Sequence, residues 1–175
     1  MELKQHEIID NFIDLKLFQK IKNFFLDENT PWYFKKEDTP DNSNNKNGFF
    51  CFCYYNHATP KHPFFYEHIA PILEKLNAFS VLQVRTNLVF RDKDCVSSNW
   101  HTDYKSSIAT SAILFFNNCN SKTELQLDDK VISVNSVENR LVKFKSSIKH
   151  RVIYQDDIHK RLVLNFNYIT ENGDI

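Results

Sequence analysis

Glycine is almost missing from this chain: it occurs twice in 175 residues, at Gly48 and Gly173. Turns must therefore be made by Asn, Asp and Ser, whose short polar side chains hydrogen-bond to the local backbone. Net charge is missing too, with 22 Lys+Arg against 22 Asp+Glu. Without a global field, a nucleic acid or an anionic membrane would need a local patch, and neither is expected as a partner. No apolar run approaches the length of a membrane span. The opening Met1-Glu2-Leu3-Lys4-Gln5-His6 is polar, unlike a secretory signal. The four cysteines, Cys51, Cys53, Cys95 and Cys119, include no C-x-x-C pair. They are expected to be reduced thiols of a cytoplasmic protein.

What the chain does have is aromatic bulk, with 16 Phe and 7 Tyr, and length enough for one domain with a sizeable core. No internal repeat is visible. Glu7-Ile8-Ile9-Asp10 reads as a short strand. Asp14 then caps a helix whose apolar positions Leu17, Phe18, Ile21, Phe24 and Phe25 recur at helical spacing. Its apolar face is expected to pack on the outside of a sheet. A turn at residues 27–31 leads to the short aromatic strand Trp32-Tyr33-Phe34. Residues 35–48 are the least hydrophobic stretch; we read them as a plain surface connection in preference to a lid over a pocket. Phe49 to Tyr55 is a strand. His57, His62 and His68 follow with no cysteine at a zinc-finger distance, so they read as surface histidines and not as a second metal site. Pro63 opens a helix that continues through Ile69, Ile72, Leu73 and Leu76, and Pro71 should kink or divide it.

From Ser80 onward the texture is that of strands. Val81 to Phe90 puts Gln83, Arg85 and Asn87 on one face, which either lines a wet cavity or is simply exposed. A loop over Asp92 to Ser98 precedes Asn99-Trp100-His101-Thr102-Asp103. Further strands are expected over Ala109–Phe116, Thr123–Leu127, Val131-Ile132, Leu141–Lys145, Val152–Tyr154 and Leu162–Ile169, separated by Asn, Asp and Ser turns. About eight short strands argue for a mainly β fold, a two-sheet jelly roll (double-stranded β-helix) over residues 80–170. The strands and helices of residues 1–79 would buttress it within one domain spanning 1–175.

Chemistry concentrates in three places. His101 and Asp103 are two residues apart, so an extended segment would point both side chains to one face. His150 stands just before Arg151-Val152-Ile153-Tyr154, and Arg161 at the head of Leu162–Phe166. Two histidines and one carboxylate with open positions make the facial triad of non-haem iron sites. His159 is a rival third ligand, but it sits in an apparent hairpin turn. The plainer reading of Arg161 is a surface arginine paired with Asp156 or Asp157. The seven basic residues between 140 and 161 read as a solvated strand face more than as a patch for an acidic partner.

His101-x-Asp103, the distal His150 and Arg161, in this order and within short strands, resemble the Fe(II)/2-oxoglutarate-dependent oxygenases. The nearest likeness is to prolyl-hydroxylase-like members of small phage and bacterial type, over Phe12 to Tyr168. The resemblance implies Fe(II) held by His101, Asp103 and His150, with 2-oxoglutarate and O2 as co-substrates. It places the distal carboxylate of 2-oxoglutarate on Arg161, with Asn87 and Asn165 as further co-substrate contacts. The family reaction turns 2-oxoglutarate and O2 into succinate and CO2 while a substrate is hydroxylated. A peptide or protein, prolyl residues first, or a small molecule is the implied substrate, in a cytoplasm that could be that of a phage host. Two rivals are a non-catalytic jelly-roll binding protein and a cupin-like metal enzyme that ignores 2-oxoglutarate. The chain departs from the family at Ser121–Leu125, where many relatives carry a glycine, and at Val163, where some carry Ser or Thr.

Overall fold

The computed structural model describes residues 5–36, 48–91 and 96–175. The expected loop or lid of residues 35–48 therefore falls largely outside the described residues, as do Cys95 and most of the loop that starts at Asp92. The chain begins with β1 (His6–Ile9), α1 (Leu15–Leu26), β2 (Tyr33–Lys36), β3 (Gly48–Asn56) and β4 (Thr59–Pro60). A π-helical turn (Phe65–Ile69) then runs into α2 (Ala70–Lys75), followed by the long strand β5 (Ala78–Phe90). The remaining strands are β6 (Ala109–Phe115), β7 (Lys122–Leu127), β8 (Lys130–Asn135), β9 (Leu141–Lys145), β10 (His150–Ile153) and β11 (Lys160–Thr170).

One antiparallel sheet has the order β1-β9-β6-β11-β5-β3-β2, with β4 attached to β3. A smaller sheet has the order β10-β7-β8. Backbone bridges at Ser97↔Ile153 and His101↔His150 lay the segment 97–101 along β10 as an irregular fourth member. Four central strands of the large sheet, β5, β11, β6 and β9, thus face four segments of the smaller one. This is the expected jelly roll, and the N-terminal strands widen its large sheet.

Period-2 alternation decides which side chains enter the barrel. On β11, Leu162, Leu164, Phe166 and Tyr168 point outward into a core shared with α1, α2 and the π turn. Arg161, Val163, Asn165 and Asn167 occupy the opposite, inner face. Asp14 caps α1 by accepting from the backbone N–H groups of Lys16 and Leu17. Phe18, Ile21 and Phe25 of α1 are buried, and Phe18 stacks on Phe116 with ring centroids 5.0 Å apart. A second cluster fills the inside of the barrel: Ile113, Phe115, Leu125, Val134, Val142, Phe144 and Val163.

Three local expectations need adjusting. Pro71 does divide the helical stretch, standing in the first turn of α2, but the part before it is wound as a π turn. His68 is not at the surface: it is 2% exposed, and its Nδ1 lies 3.1 Å from the Tyr54 hydroxyl inside an aromatic cluster with Phe24 and Phe64. Asn and Asp do supply left-handed turn residues at Asn11, Asn77, Asp128 and Asn139, yet His57 and Ala58 also take positive φ in the tight β3–β4 hairpin.

Candidate metal and anion site

His101 and His150 meet through backbone pairing. His101 N–H donates to His150 O at 3.0 Å, and His150 N–H donates to His101 O at 2.8 Å. Directly opposed residues that exchange both bonds place their side chains on one face, and the two imidazole centroids are 4.3 Å apart. Asp103 lies two residues on, in a bend and not in a regular strand. Its Oδ1 is 3.7 Å from His150 Nε2. One ligand atom from each of His101, Asp103 and His150 can be chosen so that all lie within 4.8 Å of one another.

Each of the three is held by a second set of contacts. His101 Nδ1 is 3.1 Å from Asn99 O, and His150 Nδ1 is 3.2 Å from Ile148 O. A carbonyl accepts only, so each Nδ1 must carry the proton, which leaves each Nε2 lone pair for a metal. Asp103 Oδ2 accepts from the Ser111 hydroxyl at 2.6 Å and from Asn167 Nδ2 at 2.9 Å. Asn167 Nδ2 also donates to Ser111 Oγ at 2.9 Å, and Ser146 Oγ lies 2.8 Å from the same hydroxyl. The network fixes one carboxylate oxygen and leaves the other facing the histidines.

The charge states suit a divalent ion. Burial works to raise the Asp103 carboxyl, but His150, the Ser111 and Asn167 hydrogen bonds and His101 together hold it below its ordinary value. Burial lowers His150, and the nearby Asp103 only partly offsets this. A carboxylate beside a neutral imidazole is the ligand form of both residues.

Arg161 enters the same cavity. It is 2% exposed, and Nη2 donates to Thr123 Oγ1 at 3.0 Å. Its guanidinium lies over the Phe115 ring, 5.4 Å from the centroid, and Nε is buried without a partner. Among the described residues no carboxylate pairs with it, and burial lowers its pKa to about 10. Asp156 and Asp157 bond Asn120 instead, so the surface ion pair does not form. The cavity, about 110 Å³, is lined by His101, Asp103, His150 and Arg161 together with Arg85, Asn87, Val163 and Asn165. Buried Oδ1 atoms of Asn87 and Asn165 have no partner. Gln83 does not line it, and His159 is exposed in the β10–β11 loop. Of the basic residues between 140 and 161, Arg140 pairs with Asp10, Lys143 with Glu7 and Arg151 with Glu124.

Ser111, Asn167, Ser146 and Thr123 were not singled out from the sequence. A signal existed for two of them. Ser111 is a hydroxyl within the apolar run Ala109–Phe115, and Asn167 continues the alternation of Arg161 and Asn165 on an otherwise apolar strand.

No family model and no curated protein matches the sequence. Solved structures do match the fold. An oxidoreductase of the 2OG-Fe(II) oxygenase family from Burkholderia pseudomallei superposes with a TM-score of 0.73 at 10% identity, covering 97% of this chain and 88% of that one. A Trichoplax adhaerens prolyl hydroxylase, in complex with a hypoxia-inducible-factor oxygen degradation domain peptide, gives 0.69 at 14% identity over 97% and 85% of the two chains. A Pseudomonas putida prolyl-4-hydroxylase gives 0.66 at 14% identity over 94% and 92%. The fold of this chain is the one these oxygenases share.

Proposed function

We propose that this protein is an Fe(II)- and 2-oxoglutarate-dependent dioxygenase. The observation that carries the reading is a pairing within one cavity: a two-histidine, one-carboxylate cluster together with a buried arginine that no acid among the described residues pairs with. A cation taken from water without a carboxylate partner is costly unless a ligand supplies one.

The residues fit the group. His101 Nε2, Asp103 Oδ1 and His150 Nε2 would hold ferrous iron, a borderline ion that accepts imidazole and carboxylate together. Arg161 would take the distal carboxylate of 2-oxoglutarate through parallel charge-assisted hydrogen bonds, and Asn87 and Asn165 stand beside that path. Bound iron and 2-oxoglutarate supply the oxidation of a C–H bond by O2, with succinate and CO2 as co-products. The chain itself positions and shields. Ser111 and Asn167 stop Asp103 from rotating, the backbone bridge sets the spacing of the imidazoles, and Phe115 and Val163 keep the Arg161 end dry.

Two of the structural relatives are prolyl hydroxylases by name, which makes a prolyl residue of a peptide the first substrate to test. The binding-protein and cupin-like readings keep the metal and lose the reason for Arg161. As part of the same reading we place the protein in the cytoplasm, with Cys51, Cys53 and Cys119 as reduced thiols. No helix among the described residues is long and apolar enough to cross a membrane. The test is anaerobic reconstitution with Fe(II) and 2-oxoglutarate, followed by air. The reading expects a weak visible chelate band and then succinate, both lost in His101→Ala. A metal-loaded protein with neither would refute it.

A further inference from the structure

Arg85 is the second guanidinium of this cavity, and nothing in the assignment above uses it. It stands on the inner face of β5, directly across from Asn165 of β11. With His101, Asp103 and Arg161 it lines the cavity. Its guanidinium lies over the Phe49 ring, 5.4 Å from the centroid, and its Nε is buried without a hydrogen-bond partner. Among the described residues it forms no ion pair, in contrast to Arg140, Lys143 and Arg151 on the outside of the barrel.

The charges of the loaded site show what is missing. Ferrous iron is doubly positive. Asp103 and the two carboxylates of 2-oxoglutarate oppose it, and Arg161 balances the remainder. These groups cancel. On that reading one 2-oxoglutarate carboxylate would go to the metal and the other to Arg161, so none would be left for Arg85. Among the described residues nothing matches its positive charge, which stands in the same cavity in a partly buried place where an uncompensated cation is unfavourable.

We infer that Arg85 receives a carboxylate of the substrate presented to the metal, so that the molecule oxidised is a carboxylic acid. This rests on the oxygenase reading above. A guanidinium matches a carboxylate through two parallel hydrogen bonds, and Nε is one of the donors in that fork. The carboxylate comes either from a free amino acid or from an acidic side chain of a peptide.

The test uses the anaerobic Fe(II)·2-oxoglutarate complex of wild type and of Arg85→Gln. Four probes are added: free L-amino acids, the same amino acids as carboxamides, blocked peptides carrying Asp or Glu, and their Asn or Gln counterparts. The readouts are perturbation of the chelate band before oxygen and succinate release after it. A carboxylate pool should perturb the band at concentrations about tenfold or more below its amide counterpart, and Arg85→Gln should erase that advantage. Whether the amino acids or the peptides do so identifies the source of the carboxylate. Equal response to amides and acids, or no response to any acid, overturns the inference and leaves the oxygenase reading standing. So does an Arg85→Gln protein whose own 2-oxoglutarate half-saturation has risen about tenfold, since Arg85 would then be a co-substrate ligand. A wild-type protein that forms no chelate band removes the oxygenase reading and this inference with it.

Discussion

Replacing Arg161 with methionine should stabilise the ligand-free protein while destroying its affinity for 2-oxoglutarate. Burial lowers the guanidinium from 12.5 to about 10; at about 1.4 kcal/mol per tenfold change in acidity, holding the charge costs about 3 kcal/mol. Two favourable contacts offset part of this: the hydrogen bond to Thr123 contributes about 1 kcal/mol, and the Phe115 ring face about another 1 kcal/mol. The neutral, similarly long Met side chain would relieve the difference, about 1 kcal/mol, or roughly 2–4 °C in Tm for a chain of this size. The folded protein binds this proton less tightly than the unfolded chain. The penalty is therefore fully present below pH 10 and fades as the pH rises toward 12.5. Binding moves the other way. Removing one partner of a buried charge pair costs about 2–5 kcal/mol, which is about 30-fold to several thousand-fold in the dissociation constant. The assay is a thermal melt of the metal-loaded protein with and without 2-oxoglutarate, supported by calorimetric titration. Wild type should melt higher with the co-substrate. Arg161→Met should start higher and gain nothing. A variant that melts far below wild type yet binds 2-oxoglutarate normally would refute the reasoning, because Arg161 would then be a structural residue.

Three further outcomes follow from the same geometry. Asn167→Ala or Ser111→Ala removes one of the two hydrogen bonds to Asp103 Oδ2 and should weaken Fe(II) binding about 10- to 100-fold with the fold intact, as read by metal titration. An unchanged affinity would make the network incidental. Burial lowers the pKa of His68 below its ordinary 6.5, so the unfolded chain takes up its proton first and stability should fall as the pH drops below about 6.5. His68→Gln should flatten that part of the melting profile, and an unaltered slope would assign the acid sensitivity elsewhere. Ala58 holds a φ of 56° in the β3–β4 hairpin, a conformation that costs a residue with a Cβ about 1 kcal/mol. Ala58→Gly should therefore raise the denaturation midpoint, and a lower midpoint would contradict the strain argument.

Much of this could be read from the sequence because it depends on local period. The alternation of Leu162, Leu164 and Phe166 with Arg161, Val163 and Asn165 marks both faces of β11 without any knowledge of its neighbours. Asp14 announces α1, and Pro71 announces a break. The residues proposed as ligands are legible as a chain-order pattern of His101, Asp103 and His150. How they converge is not legible: extended geometry was the sequence-based reason for pairing His101 with Asp103, whereas the structure joins His101 to His150 through a backbone bridge and leaves Asp103 in a bend. Pairing partners distant in sequence leave no periodic trace. Asn139 accepts from Ile13 N–H and donates to Ile13 O across 126 residues, and nothing near either residue signals it. The burial of His68 was missed for a related reason. Its hydrogen-bond partner, Tyr54, lies on β3, and a histidine in the first turns of a helix, with no sign of what packs there, looks exposed until that strand folds against it.

The central claim is one of convergence, that a single cavity grips one metal ion and one dicarboxylate. A crystal structure grown anaerobically with Fe(II) and 2-oxoglutarate, with data at the iron edge, tests it most directly. The account predicts one anomalous peak shared by His101 Nε2, Asp103 Oδ1 and His150 Nε2, with the distal carboxylate of 2-oxoglutarate on the Arg161 guanidinium. Iron bound elsewhere, or a co-substrate that leaves Arg161 unpaired, would contradict it.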